Sequence, residues 1–270
     1  MKERIDSLLV EKGFIESREK AKRAIMAGLV FVNGQRVDKP GTKIDVENEI
    51  TVKGKAIPYV SRGGLKLEKT IKTLELDLND LICADIGAST GGFTDCMLQH
   101  GAKKVYSIDV GYGQLDWKLR NDDRVINMER TNVRYVELEH INNENLDFAS
   151  IDVSFISLRL VLPVVKKLLK EELQLVYLIK PQFEAGREQV KKNGVVRDIK
   201  VHEKVMNEVL SFSQNIGIYP QYITFSPITG PKGNIEFLAY CTNKPKYKAD
   251  ELSQVVEEVV KNAHFELKSK

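Results

Sequence analysis

The sequence predicts an α/β protein, a doubly wound and mostly parallel sheet preceded by a small α+β domain. Three observations predict it. From Leu81 onward, short apolar strands alternate with helical patterns, the arrangement of a parallel sheet covered on both faces. One of those strands runs straight into a glycine-rich turn and a helix, LICADIGASTGGFTDCMLQ over residues 81–99. The charge is also unevenly placed. Of 41 Lys/Arg and 38 Asp/Glu, the first 60 residues hold 12 and 9, so the whole surplus of +3 lies there and the remainder balances. A module for a polyanion is expected in that segment. The predicted division is 1–60, 61–245 and a helical tail over 246–270.

The first sixty residues contain two short helical patterns, Arg4 to Lys12 and Ser17 to Ala27, the second opened by Ser17 as N-cap and stopped by Gly28. Ala21, Ala24 and Ile25 give that helix an apolar face, so several of Arg18, Lys20, Lys22 and Arg23 must project from the other. Leu29 to Val32, Asn33-Gly34 and Gln35 to Val37 then read as strand, tight turn and strand. A second strand pair is expected at Lys43 to Val46 and Glu49 to Val52.

The turn after Leu81–Ala84 predicts a nucleotide-type cofactor. Gly87, Gly91 and Gly92 permit a tight turn and bring helix-terminal N–H groups toward a ligand. The next strand, Val105 to Asp109, ends in a carboxylate about 20 residues later, where such folds hold ribose hydroxyls. NAD, FAD and S-adenosylmethionine all suit this pattern. A dinucleotide fingerprint needs a second glycine for the pyrophosphate, and Ser89 stands there, so the phosphate-free S-adenosylmethionine leads. Asp85 is then placed to face its charged methionine end. Glu129 and Asn132, after the strand Val125 to Met128, are the candidates for the adenine end. Phe93 either packs near the turn or enters the core.

Further along, Phe148 to Asp152 and Leu175 to Lys180 are strands ending in charged residues, and ligands of open α/β sheets collect at such ends. Lys66, in a helix beginning near Ser61, and Glu236, in the last strand pattern, join Asp152 and Lys180 as candidates. Each has an ordinary alternative. Asp152 fits a cap for the helix near Ser157, Lys180 a partly buried end of an apolar strand, Glu236 one face of a last strand, and Lys66 a solvent-facing lysine, as Lys69 and Lys72 read. The loop from Gln182 to Asp198 carries Arg187, Lys191, Lys192 and Arg197, either a cover over the site that contacts phosphates or a solvated loop.

Two resemblances make these expectations specific. R-I-D-S-L-L followed by E-S-R-E-K-A-K-R-A-I-M-A-G-L-V-F-V-N-G resembles the small RNA-binding domain named after ribosomal protein S-four. It implies that Arg4, Ser17, Arg18, Lys20, Lys22, Arg23 and Asn33 lie on an RNA-gripping face, suited to shape and phosphate rather than base reading. Lys66, Asp152, Lys180 and Glu236, in this order, resemble the K-D-K-E tetrad of the FtsJ-like ribose 2′-O-methyltransferases. With S-R-G-G-L-K-L, D-I-G-A-S-T-G-G-F-T-D, D-V-G-Y-G-Q-L, D-V-S-F, K-P-Q-F-E, G-V-V-R-D and G-N-I-E-F, the chain through about Cys241 resembles the TlyA family, called haemolysins by history. That resemblance implies a Rossmann-like methyltransferase domain with an antiparallel last strand, and S-adenosylmethionine as cofactor. It also adds Val110 to the cofactor residues and makes ribosomal RNA in ribosomal subunits the partner.

The chemistry asks for these residue types. A ribose 2′-hydroxyl is a poor nucleophile, so a base must take its proton as the methyl group transfers. Lys180 is the candidate base, or alternatively only steers the hydroxyl. Free lysine titrates near about 10.4. Desolvation and the Lys66 ammonium favour a neutral amine, while Asp152 and Glu236 oppose that shift. No metal is expected, because the methyl donor arrives activated. Asp152-Val153-Ser154-Phe155 lacks the paired prolines common in base N-methyltransferases, which disfavours that reaction. Cys83, Cys96 and Cys241 have no C-x-x-C spacing and read as reduced core thiols of a cytoplasmic protein. With no signal-peptide pattern and no long apolar run, a membrane is not an expected partner, and a lytic protein is the least favoured function. A catalytically silent assembly factor is the other alternative. The sequence does not fix the oligomeric state.

Overall fold

The computed structural model describes all residues except Ala27, 54–56, 191–192, Pro231 and 269–270, and it divides into two compact units, Met1–Gly63 and Gly64–Lys270.

The first unit runs β1 (Lys2–Arg4), α1 (Ile5–Glu11), α2 (Arg18–Met26), β2 (Val30–Val32), β3 (Gln35–Arg36), β4 (Lys43–Asp45) and β5 (Ile50–Val52). Ile5, Leu8 and Leu9 of α1 and Ala21, Ala24 and Ile25 of α2 close a small core with Val30, Val32, Ile44 and Ile50. Ser17 opens α2 as expected, its Oγ accepting the Lys20 N–H at 3.3 Å. The β2–β3 hairpin turns through Asn33 and Gly34 at φ 50° and 76°, the doubly left-handed geometry that suits strand twist.

Two expectations are corrected here. Arg4 does not begin the first helix; it ends β1, paired with Lys43 across an antiparallel ladder. The strands at 43–45 and 50–52 do not pair with each other. β4 pairs with β1, and β5 pairs with β2. The Asn33 amide explains the choice, because Oδ1 accepts the Glu49 N–H at 3.0 Å while the Asn33 N–H reaches the Glu49 carbonyl at 2.9 Å, tying the start of β5 to the end of β2.

The second unit follows with α3 (Gly63–Leu74), β6 (Ile82–Ile86), α4 (Gly92–Gln99), β7 (Lys104–Ile108), α5 (Trp117–Arg120), β8 (Val125–Met128), β9 (Phe148–Ile151) and α6 (Leu158–Leu168). It continues with β10 (Gln174–Ile179), α7 (Pro181–Glu184), α8 (Ile199–Asn215), β11 (Tyr219–Phe225), β12 (Phe237–Thr242) and α9 (Ala249–Lys268). The seven strands lie in the order β11-β12-β10-β9-β6-β7-β8. β6 to β10 run parallel, and β12 is antiparallel to both its neighbours.

Side-chain alternation divides the sheet's two faces. Ala84, Ile86, Tyr106, Ile108, Ala149, Ile151, Tyr177 and Ile179 share one core with Val161 and Val165 of α6, Val205 and Val209 of α8, and Val256 and Val260 of α9. The expected C-terminal tail is thus a helix built into this core. Asp85 projects to the opposite face, where α4 lies. No α-helix joins β8 to β9; two 3₁₀ turns, Val133–Tyr135 and Leu138–Ile141, make that crossing.

The chain runs from β6 out to β7 and β8, then returns to β9 and β10 on the other side. This reversal between β6 and β9 is where open α/β sheets form their ligand crevice.

Candidate active site

Four charged side chains meet at the carboxyl ends of the parallel strands. Asp152 follows β9 and Lys180 follows β10. Glu236 precedes β12, and because β12 is antiparallel, with Phe237 opposite Ile179, its start lies beside the end of β10. Lys66 reaches in from the first turn of α3. Its Nζ lies 2.8 Å from Glu236 Oε2 and 3.2 Å from Asp152 Oδ2. Lys180 Nζ stands 2.5 Å from the other oxygen, Asp152 Oδ1, as an ion pair, and donates a hydrogen bond to Ser154 Oγ at 3.0 Å. Asp152 therefore bridges two ammonium groups in a balanced set of two cations and two anions.

The two lysines have different surroundings. Burial pulls the Lys66 pKa down, but Asp152 and Glu236 together outweigh it and hold the group above its usual value. Lys66 is a fixed cation. Burial likewise works against the Asp152 carboxylate, and Lys66 and Lys180 reverse it, leaving its pKa below the usual value. Ser157 caps α6 itself, its Oγ accepting the Arg159 N–H at 3.2 Å, which leaves Asp152 to the site.

The cofactor turn lies next to this cluster. Gly87 adopts φ +84°, and a Cβ there would stand 2.6 Å from the Asp152 carbonyl oxygen. The glycine is needed because the turn presses on the backbone that carries Asp152. Gly91 is also left-handed and lies under Leu115 and Leu119, while Gly92 begins α4. Ser89 takes φ +49° where a dinucleotide fingerprint would have glycine, with its hydroxyl 3.3 Å from Gln114 Oε1. Asp109 fastens the turn, Oδ2 accepting from Ser89 N at 2.8 Å and Oδ1 from Gly111 N at 2.7 Å.

Asp85 lies inside β6 rather than at its end. Its Oδ2 accepts from the Thr94 N–H at 2.8 Å and from the Thr94 hydroxyl at 2.7 Å. Oδ1 is buried and, among the described residues, has no hydrogen-bond partner. Burial raises the Asp85 pKa to about 7 against the Thr94 hydrogen bonds, with the charges of Asp152 and Asp109 adding to the rise. A buried acceptor that lacks a donor beside a glycine turn fits a ligand carrying an ammonium group, as the methionine end of S-adenosylmethionine does.

The remaining cofactor candidates have protein partners. Glu129 accepts from Gln114 N at 3.2 Å and is ion-paired with Arg120. Burial opposes its charge, but the Arg120 pairing prevails and lowers its pKa. Asn132 caps the first 3₁₀ turn, accepting from Arg134 N at 3.1 Å. Val110 is exposed, and Phe93 is buried in the core.

Several functional candidates escaped sequence reasoning. Ser154 is one; Gln182 is another, its Nε2 3.3 Å from Glu236 Oε1. Phe155 is 90% exposed at φ +63°, a strained backbone for a bulky residue, and its ring centroid lies 4.8 Å from that of Phe183. With Gln182, Ala185 and Val190, the two rings line a cavity of 440 Å³. Glu184 straps this loop down, taking the Ser157 hydroxyl at 2.7 Å and the Leu158 N–H at 2.8 Å. The motifs D-V-S-F and K-P-Q-F-E carried the signal, since each places polar and aromatic residues directly after a strand-terminal charge.

Lys69 corrects an expectation: it is not simply solvent-facing but donates to the Phe225 carbonyl at 2.7 Å, with burial lowering its pKa. Lys72 is exposed and paired with Glu68. In the 182–198 loop, Asn234 binds Val196 N and the Gly194 carbonyl, and Arg197 is exposed. Lys191 and Lys192 lie outside the described residues.

In the first unit, Arg4 and Arg18 both bind the buried Asp6, while Lys20 and Lys22 pair with Glu16 and Glu19. Arg23 Nε is buried and, among the described residues, has no hydrogen-bond partner, and Asn33 is committed to the hairpin.

The doubly wound sheet with one antiparallel strand, the glycine turn and the buried Asp85 oxygen beside it define the second unit as an S-adenosylmethionine-dependent methyltransferase. Comparison with known proteins agrees. Residues 59–243 match the FtsJ-like methyltransferase model and residues 3–50 the S4 domain model. The 16S/23S rRNA (cytidine-2′-O)-methyltransferase TlyA of Mycobacterium tuberculosis is 39% identical over 88% of this chain and 88% of its own. Hemolysin A of Brachyspira hyodysenteriae is 47% identical over 88% of this chain and 98% of its own. A solved structure from Streptococcus thermophilus, carrying the name hemolysin, is 52% identical and superimposes with a TM-score of 0.79 over 99% of this chain and 98% of that one. The chain belongs to the TlyA family of FtsJ-like methyltransferases.

Proposed function

We propose that this chain methylates a ribose 2′-hydroxyl of ribosomal RNA, acting on ribosomal subunits in the cytoplasm, with cytidine, the nucleoside named for the mycobacterial relative, as the first to test. The observation that carries the reading is the Lys66–Asp152–Lys180 chain, closed by Glu236, at the strand ends beside the glycine turn. Among the described residues, no helix is long and apolar enough to cross a membrane.

S-adenosylmethionine, when bound, supplies an activated methyl electrophile. Asp85, the turn from Gly87 to Gly92, and Asp109 would hold it, with Val110, Glu129 and Asn132 toward the adenine end. Lys180, an ammonium paired with Asp152 Oδ1 at rest, first gives up a proton to solvent and as the neutral amine then takes the 2′-hydroxyl proton, while Lys66, held between two carboxylates, stays the cation. The ammonium formed at Lys180 then lies against Asp152 Oδ1 and Ser154 Oγ, which stabilise it. Lys66 fixes Asp152 and Glu236, and Gln182 holds the far side of Glu236. General-base help of this kind is worth about 10² to 10⁴ in rate. The exposed Phe155 ring, backed by Phe183, offers the target base a stacking face beside Lys180.

The test is to incubate the protein with ribosomal subunits and isotopically labelled S-adenosylmethionine, digest the RNA to nucleosides and identify the labelled product. A 2′-O-methylnucleoside is expected. Label on a base, or none in either subunit, would contradict the proposal.

A further inference from the structure

The four-residue helix α7 starts at the proposed base and ends at a carboxylate. Lys180 is its N-cap and Glu184 its last residue. Glu184 does not serve α7 itself but reaches the start of α6, where its Oε1 accepts the Leu158 N–H at 2.8 Å and its Oε2 the Ser157 hydroxyl at 2.7 Å. The first N–H groups of a helix lack helical partners and form its positive end, so a carboxylate is well matched to them. The cap is shared. Ser157 takes the Arg159 N–H on its Oγ at 3.2 Å and the Leu160 N–H on its carbonyl at 3.1 Å, which leaves the Leu158 N–H to Glu184. Burial pushes the Glu184 carboxyl above its usual value, against the Leu158 and Ser157 hydrogen bonds and the charge of Arg159.

The segment from Asp152 to Ser157 is therefore tied at both ends to one stretch of chain. At its start, Lys180 pairs with Asp152 and donates to Ser154 Oγ; at its finish, Glu184 holds Ser157 and Leu158. Between the two ties stands Phe155, left-handed at φ +63° and 90% exposed. A bulky residue keeps such a backbone only where its surroundings impose it. So little of Phe155 is covered that core packing does not impose it. Its ring rests on Phe183, centroids 4.8 Å apart, and the Phe183 centroid is in turn 5.8 Å from Lys180 Nζ. The pose of Phe155 beside the base thus depends on how α7 and the start of α6 are joined.

We propose that Glu184 is a positioning residue: by clamping the first turn of α6 to α7, it holds the Phe155 ring outward beside Lys180 before the substrate arrives. This rests on the reading of the chain as a ribosomal RNA 2′-O-methyltransferase with Phe155 as a stacking face. It goes further in assigning what keeps that face in place. A face already ordered loses less entropy on binding than one that must be fixed by the substrate. A carboxylate that merely capped α6 would change the melting temperature and leave turnover of the folded enzyme untouched.

The test is a cycle of variants of the full-length protein: Glu184→Ala, Glu184→Asp, Glu184→Gln, Phe155→Ala and the Glu184→Ala/Phe155→Ala double variant. Methyl transfer from labelled S-adenosylmethionine to ribosomal subunits is measured well below the lowest melting temperature, and cofactor affinity is measured by calorimetry. Glu184→Ala is expected to lower kcat/KM for subunits about tenfold, as a misplaced contact would, with cofactor affinity unchanged. Glu184→Asp keeps the charge but is too short for both donors, so it should lose a similar factor. Glu184→Gln keeps the reach and an oxygen for the Leu158 N–H, and should stay within about threefold of wild type. The double variant should lie within about twofold of Phe155→Ala alone, because both changes remove the same face.

A kcat/KM for Glu184→Ala equal to wild type would overturn the proposal. So would losses that multiply in the double variant, or a Glu184→Gln enzyme as poor as Glu184→Ala. If Glu184→Ala melts too early to assay, the contrast between the aspartate and glutamine variants decides, with Glu184→Asp taking its place in the cycle. Wild-type protein that methylates neither subunit, or methylates a base, would overturn the reading of the enzyme and this proposal with it. An active wild type without coupling between Glu184 and Phe155 would overturn this proposal alone.

Discussion

Asp85→Asn tests the cofactor site through a stability change opposite in sign to the usual loss at a buried polar residue. Asp85 is 1% exposed, and burial lifts its pKa from 3.8 to about 7. At about 1.36 kcal/mol per pKa unit, holding it ionised in the folded, ligand-free protein costs about 4 kcal/mol. The raised pKa means the folded state binds the proton more tightly than the unfolded state. The cost is therefore absent below about pH 4, grows from pH 4 to 7 and is constant above. Asparagine removes it, keeps an oxygen for Thr94 and leaves an unpaired amide, which costs about 1–3 kcal/mol. The net gain is about 1–3 kcal/mol at pH 8 and close to zero at pH 5. For a unit of this size that raises the Tm by about 2–10 °C at pH 8. Loss of the charged acceptor should weaken S-adenosylmethionine binding about tenfold to a hundredfold. The assays are thermal melts of ligand-free wild type and variant from pH 5 to 8, and calorimetric titration with the cofactor. A Tm difference that does not change with pH, or cofactor affinity equal to wild type, would refute the reasoning.

Three other expectations follow from particular contacts. Gly87→Ala forces a left-handed alanine, at about 1–3 kcal/mol, and pushes on the Asp152 carbonyl 2.6 Å away, so turnover should fall about a hundredfold along with cofactor affinity; turnover near wild type would show that the turn does not position Asp152. Phe155→Ala removes an exposed ring, so melting and cofactor binding should be unchanged while kcat/KM for ribosomal subunits drops about tenfold to a hundredfold, as loss of one stacked base predicts; an unaffected kcat/KM excludes the stacking role. Asp6 is held at a pKa of about 2, chiefly by its hydrogen bond from Arg4. Because both arginines are half exposed and screened by solvent, its contribution to the first unit is about 1 kcal/mol or less; it is present above pH 4 and is lost as pH falls toward 2. Acid unfolding followed by amide exchange in that unit should show this loss in wild type and not in Asp6→Asn.

The parallel sheet was legible because its strands are short, apolar and bounded by turns, and because strand-terminal charges mark the crevice. Lys66 and Glu236 were legible only through the motif resemblance. Local pattern could not foresee that an antiparallel last strand would bring Glu236 beside the end of β10, since that depends on pairing over 57 residues between Ile179 and Phe237. The same limit hid the partners of β4 and β5, where the Asn33 side chain overrides the nearer hairpin. Ser154, Phe155 and Gln182 lay in quoted motifs, but their roles come from where loop backbones turn. Lys69 read as a surface residue because periodicity reports a helix face and not the carbonyl that its long side chain can reach.

Lys180→Ala tests the central claim most directly, by counting methyl groups transferred from labelled S-adenosylmethionine to ribosomal subunits beside the calorimetric affinity for that cofactor. With Lys180 proposed as the base and Asp85, the glycine turn and Asp109 proposed as the donor site, the variant is expected to lose at least about a hundredfold in turnover and to bind the cofactor nearly as wild type does. Turnover equal to wild type would contradict the assignment of the tetrad as the catalytic centre.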